Sequence, residues 1–267
     1  MNKNIEISLI ISTYNFPQAL KICLNSILNQ TKLPSEIIIA DDGSKEETRK
    51  LINDMKKLFS IPLKHLWHED KGFRKTIILN KAILSASSPY IIQIDGDIMI
   101  NKHFIEDHLR VAEYGCFIRG TRTILNKHIS EILFNTGKVS WFTRIKLAIT
   151  QPGNAIRLYP NLAKIVTRKK LSGEKVKGCN MAFWKNDLLA INGYNNKLNG
   201  WGHEDEELSW RLTNHGIQKK IIRYSAICFH MYHPFLSRKE EPRHLQTLKA
   251  IKDNQITITK FGLNEFK

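Results

Sequence analysis

Residues 89–100, PYIIQIDGDIMI, run an apolar strand pattern into two aspartates separated by one glycine. Side chains two apart on an extended chain point to the same side, so Asp95 and Asp97 share a direction. Gly96 between them lets backbone or ligand come close. Alone, D-x-D carries little, since turn chemistry and chance both produce it. Its meaning depends on what precedes it.

What precedes it is a series. EISLIIST (6–13) reads as a buried strand, and PQALKICLNSILNQ (17–30) as a helix with Leu20, Cys23, Ile27 and Leu28 on one side. SEIIIADD (35–42) reads as the next strand. DDGSKEE then supplies turn residues and a Ser N-cap with an acid three positions later. A helix over about 45–59, a strand over about 62–67 and a helix over about 74–86 lead to the strand at 89–95. Such β-α repetition predicts an α/β fold with a parallel, doubly wound sheet, whose ligand sites gather at the carboxyl ends of the strands. Three of those ends carry polar sets, STYN (12–15), ADDGS (40–44) and DGD (95–97), which should face one crevice.

Past residue 100 the pattern loosens. EYGCFIRGTR (113–122) reads as a strand, QPGN (151–154) as a loop, and KGCNMAFWK (177–185) as a strand returning to the core. DEELSWRLTNHG (205–216) has a helical pattern with Leu208 and Leu212 in step and Gly216 as the stop signal. A strand near 219–229 leads into FHMYHP (229–234), and a mixed helix closes the chain. Absent any repeat or clear linker, one domain with a C-terminal elaboration is expected.

The chain has 267 residues, 42% of them apolar, which suits a globular protein with a real core and excludes disordered and collagen-like classes. The apolar run near the N-terminus is broken by Glu6 and Ser8, and no stretch approaches the ~20 apolar residues of a membrane span. A cytoplasmic protein is expected. Cys23, Cys116, Cys179 and Cys228 form no metal signature and should be reduced and buried.

Of the formal charge of +16, a disproportionate share lies between Lys138 and Lys177, a stretch with a single acid, Glu174. That block suggests an anionic partner: a phosphorylated substrate, a membrane surface or nucleic acid. Nucleic-acid binding would call for interleaved aromatics or a recognisable module. The block offers only Trp141, Phe142 and Tyr159, so no nucleic-acid partner is expected.

Three clusters can carry chemistry. Asp95 and Asp97 can hold Mn²⁺ or Mg²⁺ shared with a substrate phosphate. A phosphatase-like reading, with an aspartate nucleophile, wants the pair after the first strand and Thr or Val where Met99 stands. His230 and His233 are three apart, and imidazoles suit transition metals. GWGHEDEELSWRL (200–212) places Glu204, Asp205, Glu206 and Glu207 in a row at a helix start, where each acid is favoured by about 0.3–1 kcal/mol. Glu206 and Glu207 read as solvated residues or partners of Arg211, and Trp141, Trp184 and Trp210 as packing.

SLIISTYNFPQALKICLNSILNQT, SEIIIADDGS, GFRKTIILNKAI and YIIQIDGD together resemble glycosyltransferase family 2 of the GT-A fold. GCNMAFWKNDLLAINGYNNKLNGWGHEDEELSWRL resembles the C-terminal module of galactosyltransferase and N-acetylgalactosaminyltransferase families, including bacterial chondroitin-polymerase-like enzymes. The matches run from residue 6 to about 234. The resemblance implies a catalytic domain over 1–236, with a nucleotide-binding half at about 1–100, an acceptor half at about 101–236, and a helical extension at 237–267.

It also implies roles. Ser12 and Tyr14 would line the uracil and ribose site, Asp42 would accept from the uracil, and Arg74 would approach the nucleotide. Asp95 would lie near ribose and metal. Asp97 would bind the metal bridging the diphosphate, completed by His230 or His233, a choice the sequence leaves open. Trp201 would stack on an acceptor sugar, Glu204 would bond acceptor or donor hydroxyls, and Asp205 would be the general base. The family pattern G-W-G-G-E-D has glycine where His203 stands.

The implied reaction is a metal-dependent inverting transfer of galactose or N-acetylgalactosamine from a UDP-sugar to a saccharide hydroxyl, in polysaccharide or lipopolysaccharide synthesis. The basic block at 138–177 would meet a lipid-linked acceptor or the anionic inner face of the membrane. A glycan-binding relative without activity is the competing reading, and intact Asp95, Asp97 and Asp205 argue against it.

Overall fold

A computed structural model describes residues 5–234 and 237–267. The first half alternates as expected: β1 (Ile7–Thr13), α1 (Pro17–Leu28), β2 (Glu36–Asp41), α2 (Glu46–Lys56), β3 (Leu63–Trp67), α3 (Lys75–Ser85) and β4 (Tyr90–Asp95). Then come β5 (Ile98–Ile100), α4 (Phe104–Val111), β6 (Cys116–Arg119) and β7 (Thr123–Ile124). Four helices follow, α5 (Lys127–Thr136), α6 (Trp141–Thr150), α7 (Pro152–Ala155) and α8 (Pro160–Ile165), and then β8 (Arg168–Lys170) and β9 (Asn180–Trp184). The last part holds α9 (Lys185–Ala190), α10 (Glu204–Asn214), β10 (Gln218–Ile221), β11 (Cys228–His230), α11 (Glu241–Asp253) and a closing 3-10 turn at Leu263–Phe266.

The main sheet has the order β3-β2-β1-β4-β9-β6-β10-β8, and a small second sheet has the order β5-β11-β7. Strands β3, β2, β1 and β4 are parallel, whereas β9 runs antiparallel to both β4 and β6. Every residue of β1 and β2 is buried, which is why both read as unbroken apolar runs: helices cover both faces. On one face Leu20, Leu24 and Ile27 of α1 and Ile52 of α2 meet β1 and β2. On the other, Ile78 and Leu79 of α3, Leu208 and Leu212 of α10 and Leu263 form a second core.

The C-terminal segment is knit into this frame. Asn214 Nδ2 donates to Ile251 O (3.1 Å), and Asn196 Nδ2 donates to Glu265 Oε2 (2.7 Å). The four cysteines are free and buried.

Several local readings change. The strand expected at 219–229 is two strands in different sheets, β10 and β11. Tyr224 (φ 56°) and Ala226 (φ 47°) break the extended backbone between them. Of the strand expected at 113–122 only Cys116–Arg119 (β6) is strand, and β7 begins just past it at Thr123. QPGN is not a loop throughout, because Pro152 starts the short α7, a position for which proline's fixed φ is suited. Ser44 does not cap α2. Lys45 holds that place, and the Ser44 hydroxyl accepts the Asn15 N–H at 2.8 Å.

Candidate active site

The register of β1 on β4 sets Ser12 opposite Asp95 at the carboxyl edge of the sheet. Ser12 Oγ donates to Asp95 Oδ1 at 2.6 Å, and Lys75, the first residue of α3, donates its Nζ to the same oxygen at 2.7 Å. Burial opposes charge on Asp95, but the Lys75 ammonium and these bonds outweigh it and hold the carboxyl below its ordinary value. Burial also works against the Lys75 charge, yet the negative charges of Asp95, Asp205 and Glu204 outweigh it and keep it protonated.

Asp97 lies just beyond, in the turn to β5. Strand β11 pairs antiparallel with β5, His230 opposite Ile98, and Met231 N donates to Asp97 O at 2.9 Å. That register brings both histidines to one carboxylate. His230 Nε2 is 3.7 Å from Asp97 Oδ1 and His233 Nε2 is 3.5 Å from Asp97 Oδ2. Each residue offers one ligand atom, all within 4.8 Å of one another. These spacings are long for hydrogen bonds, and Asp97 Oδ1 is buried with no hydrogen-bond partner among the described residues.

A divalent cation held by Asp97, His230 and His233 would answer that orphaned oxygen. Two imidazoles and one carboxylate leave coordination positions open for phosphate oxygens. Burial, then the neighbouring charge of Asp95, pushes Asp97 up to about 7. Burial, helped by Arg122, holds His230 down at about 4, so its ring stays neutral with a lone pair to give.

The residues expected to face the nucleotide sit at the mouths of β1 and β2. Tyr14 is half exposed, and its hydroxyl donates to Asp70 Oδ2 at 2.8 Å. Asp42 is buried and already engaged: Oδ1 lies 2.6 Å from His68 Nε2, and Oδ2 accepts the Arg74 N–H at 2.9 Å. A uracil bond to Asp42 would share those oxygens. The Arg74 guanidinium curls back onto the Glu69 carbonyl, while its Nε is buried without a partner among the described residues.

The residues expected on the acceptor side lie at the start of α10. Gly200 (φ 91°), Gly202 (φ 111°) and His203 (φ 64°) wind the chain through left-handed backbone into the helix. His203 is its N-cap, adopting the conformation for which the family pattern uses glycine. Its ring faces Glu206 (Nδ1, 3.7 Å) and reaches Glu241 of α11 (Nε2, 3.4 Å). Glu204 is buried and folds back, Oε2 accepting the Gly202 N–H at 3.1 Å. The Arg238 guanidinium lies 5.2 Å from the centre of the Trp201 ring.

Asp205 points inward. A Cβ added to Gly178 would lie 1.9 Å from its Oδ2, so only glycine leaves room for this carboxylate. Its Oδ1 meets the Tyr194 hydroxyl at 3.2 Å, which in turn bonds Gln93 Oε1 at 2.9 Å. Burial, then the charge of Glu204, pushes Asp205 up to about 7 against the pull of Lys75.

The remaining two acids of the row separate. Glu207 is buried in a bidentate pair with Arg211 (3.0 and 2.6 Å), so the partner reading holds for it and the solvated one does not. Glu206 stays half-buried, near His203 and Lys252. Of the tryptophans, Trp184 is buried packing, whereas Trp141 is 67% exposed and does not pack as expected.

Sequence reading missed Lys75, Gln93, Tyr194 and His68. Gln93 left a signal, the single polar residue inside the apolar strand YIIQI, and Gly178 left another in KGCN. Lys75 looked like an ordinary charge at a helix start.

A sheet of this order, parallel through β4 and then reversed at β9 beside an aspartate pair, has the GT-A architecture of nucleotide-sugar transferases. Residues 8–147 match the family described as Glycosyl transferase family 2, and the chain belongs to that family. Residues 162–234 match the family described as N-terminal domain of galactosyltransferase.

Among curated relatives, a chondroitin synthase of Pasteurella multocida (strain Pm70) is 26% identical over 95% of this chain and 28% of its own length. A validoxylamine A glucosyltransferase of Streptomyces hygroscopicus subsp. limoneus is 24% identical over 82% of this chain and 50% of its own. The chain thus spans half or less of these relatives. Among solved structures, residues 1–349 of S. aureus TarS superpose with a TM-score of 0.63 at 14% identity, covering 98% of this chain and 68% of that one. The mannosyltransferase PcManGT of Pyrobaculum calidifontis, in complex with GDP-Man and Mn²⁺, gives 0.63 at 16% identity, covering 94% and 66%.

Proposed function

We propose that this protein is a metal-dependent inverting glycosyltransferase that moves galactose or N-acetylgalactosamine from a UDP-sugar to a hydroxyl of a saccharide acceptor. The observation that carries the reading is the place of Lys75. It bonds Asp95 on the donor side while its charge is felt by Asp205 and Glu204 on the acceptor side, so the two halves form one site.

Asp97, His230 and His233 would hold a divalent cation, which would supply Lewis-acid stabilisation to the departing diphosphate. Asp205 takes the proton of the acceptor hydroxyl as its oxygen bonds to the anomeric carbon. The bond from that carbon to the diphosphate oxygen breaks, and its electron pair leaves with UDP. A base near 7 suits that proton transfer at neutral pH. Ser12 and Lys75 fix Asp95 beside the metal ligand, and Tyr14 and Arg74 border the nucleotide.

The galactosyl preference rests on the match of residues 162–234. The polysaccharide destination, with lipopolysaccharide as its alternative, is suggested by the chondroitin synthase relative, and the lipid-linked acceptor by the basic block at 138–177. The basic block at 138–177 supports work at the inner face of the cell membrane, and the four free cysteines fit a reducing compartment. The test is UDP release from a panel of UDP-sugars with Mn²⁺, with and without simple acceptors. UDP-galactose or UDP-N-acetylgalactosamine should lead. Turnover of GDP-mannose alone, or release unchanged by Asp205→Asn with acceptor present, would overturn the reading.

A further inference from the structure

Helix α6, WFTRIKLAIT (141–150), is apolar on the wrong side. Its one fully buried side chain is Leu147, while Trp141 (67%), Phe142 (77%), Ile145 (40%) and Ile149 (75%) are exposed. At 3.6 residues per turn these four fall within a sector of about 100°, nearly opposite Leu147. Arg144 borders one edge of the stripe and Lys146 the other, both exposed. The Trp141 and Phe142 rings meet edge to face at 5.1 Å. A contiguous exposed apolar face of this kind marks an interaction site.

The charge around it says with what. No Asp or Glu occurs between Glu131 and Glu174, and Lys138, Arg168 and Lys170 are exposed in that stretch. A protein interface core is depleted in lysine, and a second copy of this chain would bring the same positive block against itself. Trp and Phe flanked by exposed cations are the composition of a helix lying in the headgroup layer of an anionic bilayer. Among the described residues no helix is long and apolar enough to cross a membrane, so the contact is one of lying on the surface.

We propose that the exposed face of α6 seats the protein on an anionic lipid surface, with Trp141, Phe142, Ile145 and Ile149 in the headgroup layer and Arg144 and Lys146 reaching the lipid phosphates. The seat adjoins the active site. Leu147 beneath the stripe shares a core with Phe229 and Met231, the two residues flanking His230. A bilayer on α6 therefore lies alongside the metal-binding strand, where a lipid-linked acceptor could be met without leaving the membrane. That consequence rests on the transferase reading; the binding itself does not.

The experiment is flotation of the intact chain with phosphatidylcholine vesicles, with and without phosphatidylglycerol, at rising NaCl. Binding should require phosphatidylglycerol and weaken with salt, since a Debye length of about 8 Å at physiological strength screens surface charge. The double variant Trp141→Ser, Phe142→Ser should lose about ten-fold or more in partitioning while UDP release with a soluble acceptor is unchanged. Arg144→Gln with Lys146→Gln should lose the phosphatidylglycerol dependence separately, which guards against a misfolded first variant. Vesicle binding that is salt-independent, or equal in the aromatic double variant, overturns the proposal. So does failure to bind vesicles combined with a dimer, by light scattering, that Trp141→Ser, Phe142→Ser dissociates. Loss of transfer with vesicle binding intact would strike the functional reading instead.

Discussion

The Tyr194 hydroxyl stands 3.2 Å from Asp205 Oδ1 and 2.9 Å from Gln93 Oε1, with one proton to serve both. Gln93 is oriented by its other end, where Nε2 donates to Gly178 O at 3.2 Å, so its oxygen is left facing Tyr194. A charge-assisted bond is roughly twice as strong as a neutral one, so the ionised carboxylate wins the proton and Gln93 gives it up. Ionisation of Asp205 is thereby coupled to a turn of one hydroxyl.

The pH dependence follows. Burial, then Glu204, raises Asp205 to about 7, and a general base works only when ionised. The kcat/KM for acceptor should be full above pH ~7 and fall as pH drops through it, where an ordinary aspartate would sustain activity to about 4. Tyr194→Phe removes a donor to the carboxylate and should move this acid limb to higher pH. Gln93→Met frees the tyrosine proton for Asp205 and should move it lower. Shifts of the same sign in a pH–rate series would contradict the arrangement. Asp205→Asn should lose about 100-fold or more in kcat with donor KM little changed.

The metal trio makes a sharper claim than either histidine alone. Because His230 and His233 approach opposite oxygens of Asp97, alanine at each should weaken Mn²⁺ binding by about ten-fold or more in calorimetry. Chelation should abolish UDP release and added Mn²⁺ restore it. If one of the two alanine variants binds Mn²⁺ as tightly as the parent, that histidine is not a ligand.

Lys75 offers a test of the union of donor and acceptor halves. Lys75→Met removes the cation beside Asp95 and the opposing pull on Asp205. The acid limb should rise together with the KM for the nucleotide sugar. A change in one without the other, read from steady-state kinetics across pH, would separate the halves again.

How much of this was legible depends on where the information lies along the chain. Strands β1, β2 and β4 were readable because parallel strands covered on both faces must be apolar at every position. The aspartate pair was readable because it ends such a strand. The split of β10 from β11 was not, since its breaks fall at Tyr224 and Ala226, residues that give no glycine-like warning of left-handed backbone. Tyr194 was illegible for another reason: its partner Gln93 lies 101 positions away and meets it only once the sheet has formed. The burial of Glu207 was hidden too, as an acid four residues before an arginine reads alike on a surface helix and in a core.

His203 is where the chain departs from the glycine of its family pattern, and its energetics can be divided. A side chain held in left-handed backbone costs about 1–2 kcal/mol. Its contacts with Glu206 and Glu241 are long and the ring is about a quarter exposed, so they return about 0–1 kcal/mol. His203→Gly should therefore be neutral or stabilising in urea unfolding. His203→Ala keeps the strain and loses the contacts, and should be less stable than the glycine variant by about 1 kcal/mol. An alanine variant equal to or above glycine would show that the left-handed backbone carries no such cost here.

Arg211 and Glu207 form the opposite case, a charge pair with no exposed face. Arg211 is 0% exposed, bonds both oxygens of Glu207, and donates also to Ile191 O (2.8 Å) and Gly193 O (2.7 Å). Those carbonyls end α9 and begin the loop that carries Tyr194, so the pair ties the helix of Asp205 to the residue that holds it. Glu207→Gln leaves the guanidinium buried against neutral oxygens and should cost about 3–5 kcal/mol. Glu206→Gln, one residue earlier and partly in solvent, should change stability by less than about 0.5 kcal/mol. The double change Glu207→Met, Arg211→Met removes both charges and should recover much of the single variant's loss, since a buried pair is often replaceable by packed apolar groups. Recovery of fold without recovery of the Asp205 acid limb would then show that the pair positions Tyr194, a result that packing alone does not produce.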